Sequence, residues 1–161
     1  MALYQRPSWD EYFMDIVDVV SKRATCDRGR SGCVVAKDKV IISTGYVGAP
    51  KNSPHCDDAG HLMKKVIDDD GSEHMHCMRT AHAEANAIAQ AARIGVSTDG
   101  ATLYCRMTPC RTCAMMIVNS GIVRVVAQKD YHAAADSKAI FKNAGVKLEI
   151  LDAAVLSYDK Q

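Results

Sequence analysis

Residues 101–127 read ATLYCRMTPCRTCAMMIVNSGIVRVVA, and this stretch decides the architecture. Residues 101–105 form a short apolar run that predicts a strand. Residues 106–109 predict a turn, with Pro109 suited to the first position of a helix, where its missing N–H costs nothing. Residues 110–120 predict that helix, closed by Gly121, and residues 122–127 predict a second strand. Strands joined through a helix pair in parallel, with the crossover packed on one face of the sheet.

The alternation continues on both sides. Residues 80–94 (TAHAEANAIAQAARI) are alanine-rich and stop at Gly95, the pattern of a helix with a C-terminal glycine. Residues 136–144 predict a helix ending at Gly145, and residues 147–151 a last strand. From residue 80 onward the chain therefore reads as a layered α/β domain with parallel pairing in its second half. Upstream, Ser8 and Glu11 make a capping-box pattern, and Trp9, Phe13, Ile16, Val17 and Val20 recur at helical spacing, predicting a helix over 9–23. Residues 26–31 are a basic loop. Residues 33–36 and 40–44, separated by Lys37, Asp38 and Lys39, predict a hairpin. Residues 45–54 are rich in turn formers. Residues 55–79 are polar, with four histidines, two cysteines and three successive aspartates. A short helix is expected at 61–67 and a solvated loop at 68–70. With no repeat or linker visible, residues 1–161 read as one domain, with 47–79 a long insertion.

Composition narrows the function. Twenty Lys and Arg against 19 Asp and Glu leave a net charge of +1, without the basic surplus of a duplex-binding protein. A small-molecule substrate is expected, and neither nucleic acid nor membrane as partner. No apolar run is long enough to span a bilayer, and the N-terminus lacks a signal-peptide pattern, so a cytoplasmic protein is expected. Seven cysteines in a reducing compartment do not suggest a disulfide framework, and metal is the first alternative.

Two patterns carry that alternative: His82-Ala83-Glu84 at the start of one predicted helix, and Pro109-Cys110-Arg111-Thr112-Cys113 at the start of the next. Cysteines three apart share a helix face and can reach one metal. An imidazole and two thiolates suit zinc, and three protein ligands leave a fourth position for water. Glu84, two residues from His82, can serve the same site only if the helix aims its first turn at the metal. The competing reading of Cys110 and Cys113 is a redox pair or buried core cysteines.

H-x-E followed by P-C-x-x-C is the zinc deaminase signature, and the chain resembles the cytidine/deoxycytidylate deaminase superfamily, most of all its deoxycytidylate (dCMP) branch. The resemblance is carried by GY at 45–46, GAP at 48–50, HCD at 55–57, CMRTAHAEANAI at 77–88 and TPCRTC at 108–113. It implies a three-layer α/β fold with a five-stranded mixed sheet flanked by helices. It also implies a homo-oligomer (hexamer or dimer), conversion of dCMP to dUMP for thymidylate synthesis, and dCTP and dTTP as effectors. Glu84 is then the general base and acid, and His82, Cys110 and Cys113 hold the catalytic zinc. Val47 departs from the family's G-Y-N-G pattern, and valine cannot make the hydrogen bonds of asparagine. Relatives acting on dCTP, cytidine, guanine or tRNA adenosine, and a non-catalytic zinc-stabilised module, are the competing readings.

The resemblance also implies a second, structural zinc before the HAE motif. Cys26 and Cys56 are its first candidates, Cys77 the next, with His61, His74 or His76 as the fourth ligand. The substrate candidates are Ala83, Asn86, Val47, Tyr131 as a cap on the base, and Arg28, Arg30 and Arg106 for a 5′-phosphate. Cys33 and Cys105 are expected as buried strand residues, and Met115 and Met116 as core or subunit contact.

Overall fold

A computed structural model of the chain describes residues 3–67 and 71–156. Its first helix, α1 (Trp9–Ser21), starts as the sequence expects. The Ser8 hydroxyl accepts from the Glu11 N–H at 3.2 Å, and the Glu11 carboxylate accepts from the Ser8 N–H at 2.7 Å. The helix stops two residues short of the predicted end, because Arg23 and Ala24 turn back onto Val20 and Ser21 through three-residue hydrogen bonds.

After a single 3-10 turn (Asp27–Gly29) come β1 (Gly32–Lys37) and β2 (Val40–Tyr46), the predicted hairpin. The second half supplies α3 (Ala83–Ile94), β5 (Thr102–Met107), α4 (Arg111–Asn119), β6 (Arg124–Tyr131), α5 (Ala135–Ala144) and β7 (Lys147–Leu156), after α2, β3 and β4 described below. The sheet order is β2-β1-β5-β6-β7. β1 is antiparallel to both β2 and β5, whereas β5–β6 and β6–β7 are parallel, so the five-stranded mixed sheet is present.

Strand alternation divides the core into two layers. Val34, Ala36, Tyr104 and Val126 face α1 and pack on Phe13, Met14 and Val17. Cys33, Val35, Leu103, Cys105, Val125 and Ala127 face the other way, onto Ala83, Ala87, Ala114, Ile117 and Phe141 of α3, α4 and α5. The central strands are buried on both faces, hence their unbroken apolar sequences. This is the three-layer α/β arrangement that the resemblance in the sequence implies. Cys33 and Cys105 are fully buried partners on adjacent strands, as expected. Met115 and Met116 are more than a third exposed, which removes them from the core.

Residues 48–81 form an excursion closed at its base, where Gly48 and Ala81 exchange backbone hydrogen bonds. It contains α2 (Cys56–Ala59) and an antiparallel ribbon of β3 (Met63–Ile67) and β4 (Glu73–Cys77). The helix expected at 61–67 is therefore a strand. Seven residues make under two helical turns, too few to nucleate alone, and Val66 and Ile67 prefer the extended chain. The loop expected at 68–70 lies outside the described residues.

Candidate metal and active site

Two predicted helix starts shift in a way that builds the site. His82 lies outside α3 as its N-cap, with extended backbone (φ −70°, ψ 156°), and Cys110 caps α4 likewise (φ −68°, ψ 167°). Pro109 thus precedes the cap instead of opening the helix. An N-cap residue leaves the helical path, so its side chain can turn across the first turn. His82 Nδ1 lies 3.4 Å from Cys110 Sγ and 3.5 Å from Cys113 Sγ. Tetrahedral zinc with bonds of about 2.3 Å to sulfur and about 2.0–2.1 Å to nitrogen has ligand–ligand edges of roughly 3.5–3.8 Å. The three donors fit that ion.

The turns are firmly seated. α3 presses on β2 at Gly45, where an added Cβ would stand 2.2 Å from the Ala83 oxygen and 2.4 Å from the Ala87 nitrogen. Only glycine allows that approach. Asn86 donates its amide to the Tyr46 carbonyl at 2.8 Å, so it orients α3 against β2. Ala83, the first residue of α3, is buried.

Glu84 is 8% exposed and lies two residues after His82, in the first turn of α3. Burial raises its pKa, the Cys110 thiolate adds to this, and His82 opposes it. The Cys110 thiol is pushed down to about 4, by hydrogen bonding from Cys113 first and then from His82. Cys113 is raised in turn, and His82 rises to about 9 beside Cys110.

A second group of donors gathers Cys26, Cys56, His61 and Cys77, all within 4.8 Å of one another. Cys56 and Cys77 sulfurs are 3.6 Å apart, and Cys26 Sγ is 3.7 Å from His61 Nδ1. These are again tetrahedral zinc edges, and three thiols and one imidazole close the polyhedron without a place for water. Burial raises Cys56 to about 12, whereas backbone N–H groups and His61 bring Cys77 down to about 7 against its own burial. Asp27 accepts from His61 Nε2 at 3.0 Å and so fixes which ring nitrogen faces the sulfurs. No motif in the sequence announces Asp27; its place directly after Cys26 is the one available signal.

His74 and His76 are not in this group. On β4 they share the face opposite Cys77, so strand parity turns them away. The His76 ring lies 6.2 Å from the His82 ring instead.

The remaining candidates separate by position. Val47 packs its side chain between the core and the three cysteines, and its backbone bonds Ser31 and Thr25. Tyr131 closes β6, with its ring against His132. Arg30 is held by the Ala24 carbonyl and Asp57, and Arg106 donates to the Arg30 carbonyl at 3.1 Å. Both line a cavity of about 380 Å³ with Lys22 and Lys129, and Arg106 shares the face of β5 that carries Tyr104, on the α1 side of the sheet. Arg28 differs: its Nη2 is buried with no hydrogen-bond partner among the described residues. It also lies near enough to His76 to disfavour a second positive charge there.

An α/β layer thus offers an imidazole and two thiols at the starts of two helices, beside a buried carboxyl, which is the donor set of an open zinc site. The profile of the cytidine and deoxycytidylate deaminase zinc-binding region matches residues 7–129, and the chain belongs to that family. It is 40% identical over 145 residues to the ComE operon protein 2 of Bacillus subtilis, covering 90% of this chain and 72% of that one. It is 38% identical over 146 residues to the deoxycytidylate deaminase of Saccharomyces cerevisiae, over 91% of this chain. The chain spans about half the length of the two yeast relatives it matches, 46% and 44%. Against the mycobacteriophage D29 deoxycytidylate deaminase it is 38% identical over 78% of this chain and 98% of that one. The crystal structure of the dCMP deaminase of cyanophage S-TIM5 with dCMP and dUMP superposes with a TM-score of 0.71 at 26% identity, covering 91% and 99% of the two chains. Among the described residues no helix is long and apolar enough to cross a membrane.

Proposed function

We propose that the chain hydrolyses dCMP to dUMP and ammonia, with His82, Cys110 and Cys113 holding a catalytic zinc and Glu84 moving the protons. The observation that carries this reading is the 3.4–3.5 Å approach of His82 Nδ1 to the two sulfurs, with Glu84 buried on the same first turn. When bound, zinc supplies acidification of a water near neutral pH. Glu84 accepts one proton of the attacking water and passes it to the ring nitrogen, then takes the proton of the hydroxyl added to the ring carbon and passes it to the amine, which leaves as ammonia. The helix N-termini of α3 and α4 favour the negative charge gathered between them. Cys26, Cys56, His61 and Cys77 hold a second, structural zinc, which brings the count to two per chain. Binding of dCTP and dTTP as effectors, and assembly into a homo-oligomer, belong to the same reading.

Arg28 reads the 5′-phosphate. A buried guanidinium nitrogen without a partner costs stability unless an anion completes it, and Arg30 and Arg106 are already occupied. The test is ammonia release from dCMP, dCTP, cytidine, 2′-deoxycytidine and guanine in parallel, with and without dCTP and dTTP. The expected outcome is turnover of dCMP above the others. Arg28→Gln then lowers the ratio of kcat/KM for dCMP over 2′-deoxycytidine by about 10–100-fold, the worth of a charge-assisted hydrogen bond. Equal turnover of every substrate overturns the dCMP reading. An unchanged ratio removes Arg28 from the phosphate site.

A further inference from the structure

Cys110 is delivered by the turn after β5, and β6 anchors that turn from outside. The Thr108 hydroxyl donates to Asp130 Oδ1 at 2.9 Å, and the same oxygen accepts the backbone N–H of Tyr131 at 2.9 Å. The other oxygen is held by Lys138 Nζ of α5 at 2.6 Å. Thr108 is also bonded through its own N–H to the Lys129 carbonyl at 3.0 Å. Thr108 and Pro109 are buried, so the turn cannot shift without breaking these contacts. The register of β6 against β7 slips between Lys129 and Asp130. The extra residues lie on β7, since Lys129 pairs with Asp152 and Asp130 with Val155, and Asp130 of β6 faces Thr108 at the end of β5.

We infer that Asp130 is a positioning residue, a latch whose carboxylate holds the Thr108–Pro109–Cys110 turn in the place that brings one thiol to the metal and fixes the backbone of Tyr131 beside it. Asp130 is outside both groups of metal donors and acts through Thr108 and Tyr131. The inference rests on the proposed metal-dependent reaction.

Three variants separate positioning from mere stability. Asp130→Ala removes every contact. Asp130→Asn keeps an oxygen for Thr108 and Tyr131 and gives up the ion pair. Lys138→Met gives up the ion pair alone. A displacement of the order of 1 Å at a reacting group costs about 100-fold. Asp130→Ala is therefore expected to lower kcat for dCMP about 100-fold with KM changed less than about threefold. Asp130→Asn restores most of kcat, and Lys138→Met lowers Tm without lowering kcat. The second readout is the thiolate-to-metal absorption of the cobalt(II)-loaded protein, to which the Cys26–Cys56–Cys77 group contributes a background common to all variants. The band is expected to shift in Asp130→Ala and in neither of the others. Loss of kcat in proportion to Tm across the three variants, or an unshifted band in Asp130→Ala, overturns the latch. If the wild-type protein releases no ammonia from dCMP, the proposed function fails and the cobalt band alone decides the latch.

Discussion

His82 and Glu84 are two positions apart, a spacing that on a regular helix would point them about 200° apart. The structure removes the conflict by leaving His82 outside the helix as its cap while Glu84 enters the first turn. The same device at α4 places Cys110 on the cap and Cys113 one turn in. Each pair therefore combines one residue with extended backbone and one with helical backbone. Glu84→Gln keeps the shape and the burial but cannot accept a proton. Kcat for dCMP is expected to fall by about 10²–10⁴-fold, the range of a general acid–base group. Zinc content, measured by metal analysis of the dialysed protein, is expected to stay at the wild-type value. A variant that retained a tenth of the wild-type kcat would remove Glu84 from the proton pathway.

The elements of the second half were legible because each carries its own punctuation: Gly95 and Gly145 adopt left-handed φ at helix ends, and β5 and β6 carry buried runs at 103–105 and 125–127. The ribbon of β3 and β4 was not legible, since five residues with two lysines carry neither a helical nor a strand period of useful length. That omission also hid which histidines could join Cys77, because strand parity exists only once the strand does. Asp130 escaped for another reason: its role is a contact across 22 residues with no local pattern. A further long-range contact sets the pH response of α1. Arg124 of β6 bonds the Asp10 carboxylate at 2.7 and 2.9 Å and also pairs with Glu149 of β7, tying helix to sheet. The guanidinium holds Asp10 below its ordinary value, and Lys147 first and Arg124 next do the same for Glu149. A carboxyl whose folded pKa is depressed adds stability that is full above its unfolded pKa, about 4, and is lost as pH falls through the folded value. Tm is therefore expected to fall as pH is lowered below about 4. Arg124→Met should lower Tm at pH 7 and flatten that acid dependence. Parallel Tm–pH curves for the two proteins would show that this clamp does not govern acid stability.

Across the whole molecule the two donor groups have different consequences. The His82 group is built on helices seated in the main core, with Gly45, Ala83 and Ala87 in close contact, so its scaffold stands on apolar packing. The excursion over 48–81 is joined to the body at Gly48 and Ala81, and among the described residues its buried side chains are those of Cys56 and Cys77. Thiols and an imidazole are thus its interior, and under the proposed two-zinc reading the free energy of metal binding offsets the entropy of ordering it. Cys56→Ser is expected to lower zinc from two per chain to one and to make residues 48–81 the first site of limited proteolysis, while the sheet keeps its far-ultraviolet signature. Cys113→Ser is expected to lower zinc by one as well, yet to leave the proteolytic pattern as in the wild type and to abolish ammonia release. Chelator titration distinguishes the sites in the unaltered protein. The three-donor site exchanges first with loss of activity alone, and cleavage of the excursion follows only when the second metal leaves. Simultaneous loss of both metals, activity and protease resistance would mean that the two groups form one cooperative unit instead of separate sites.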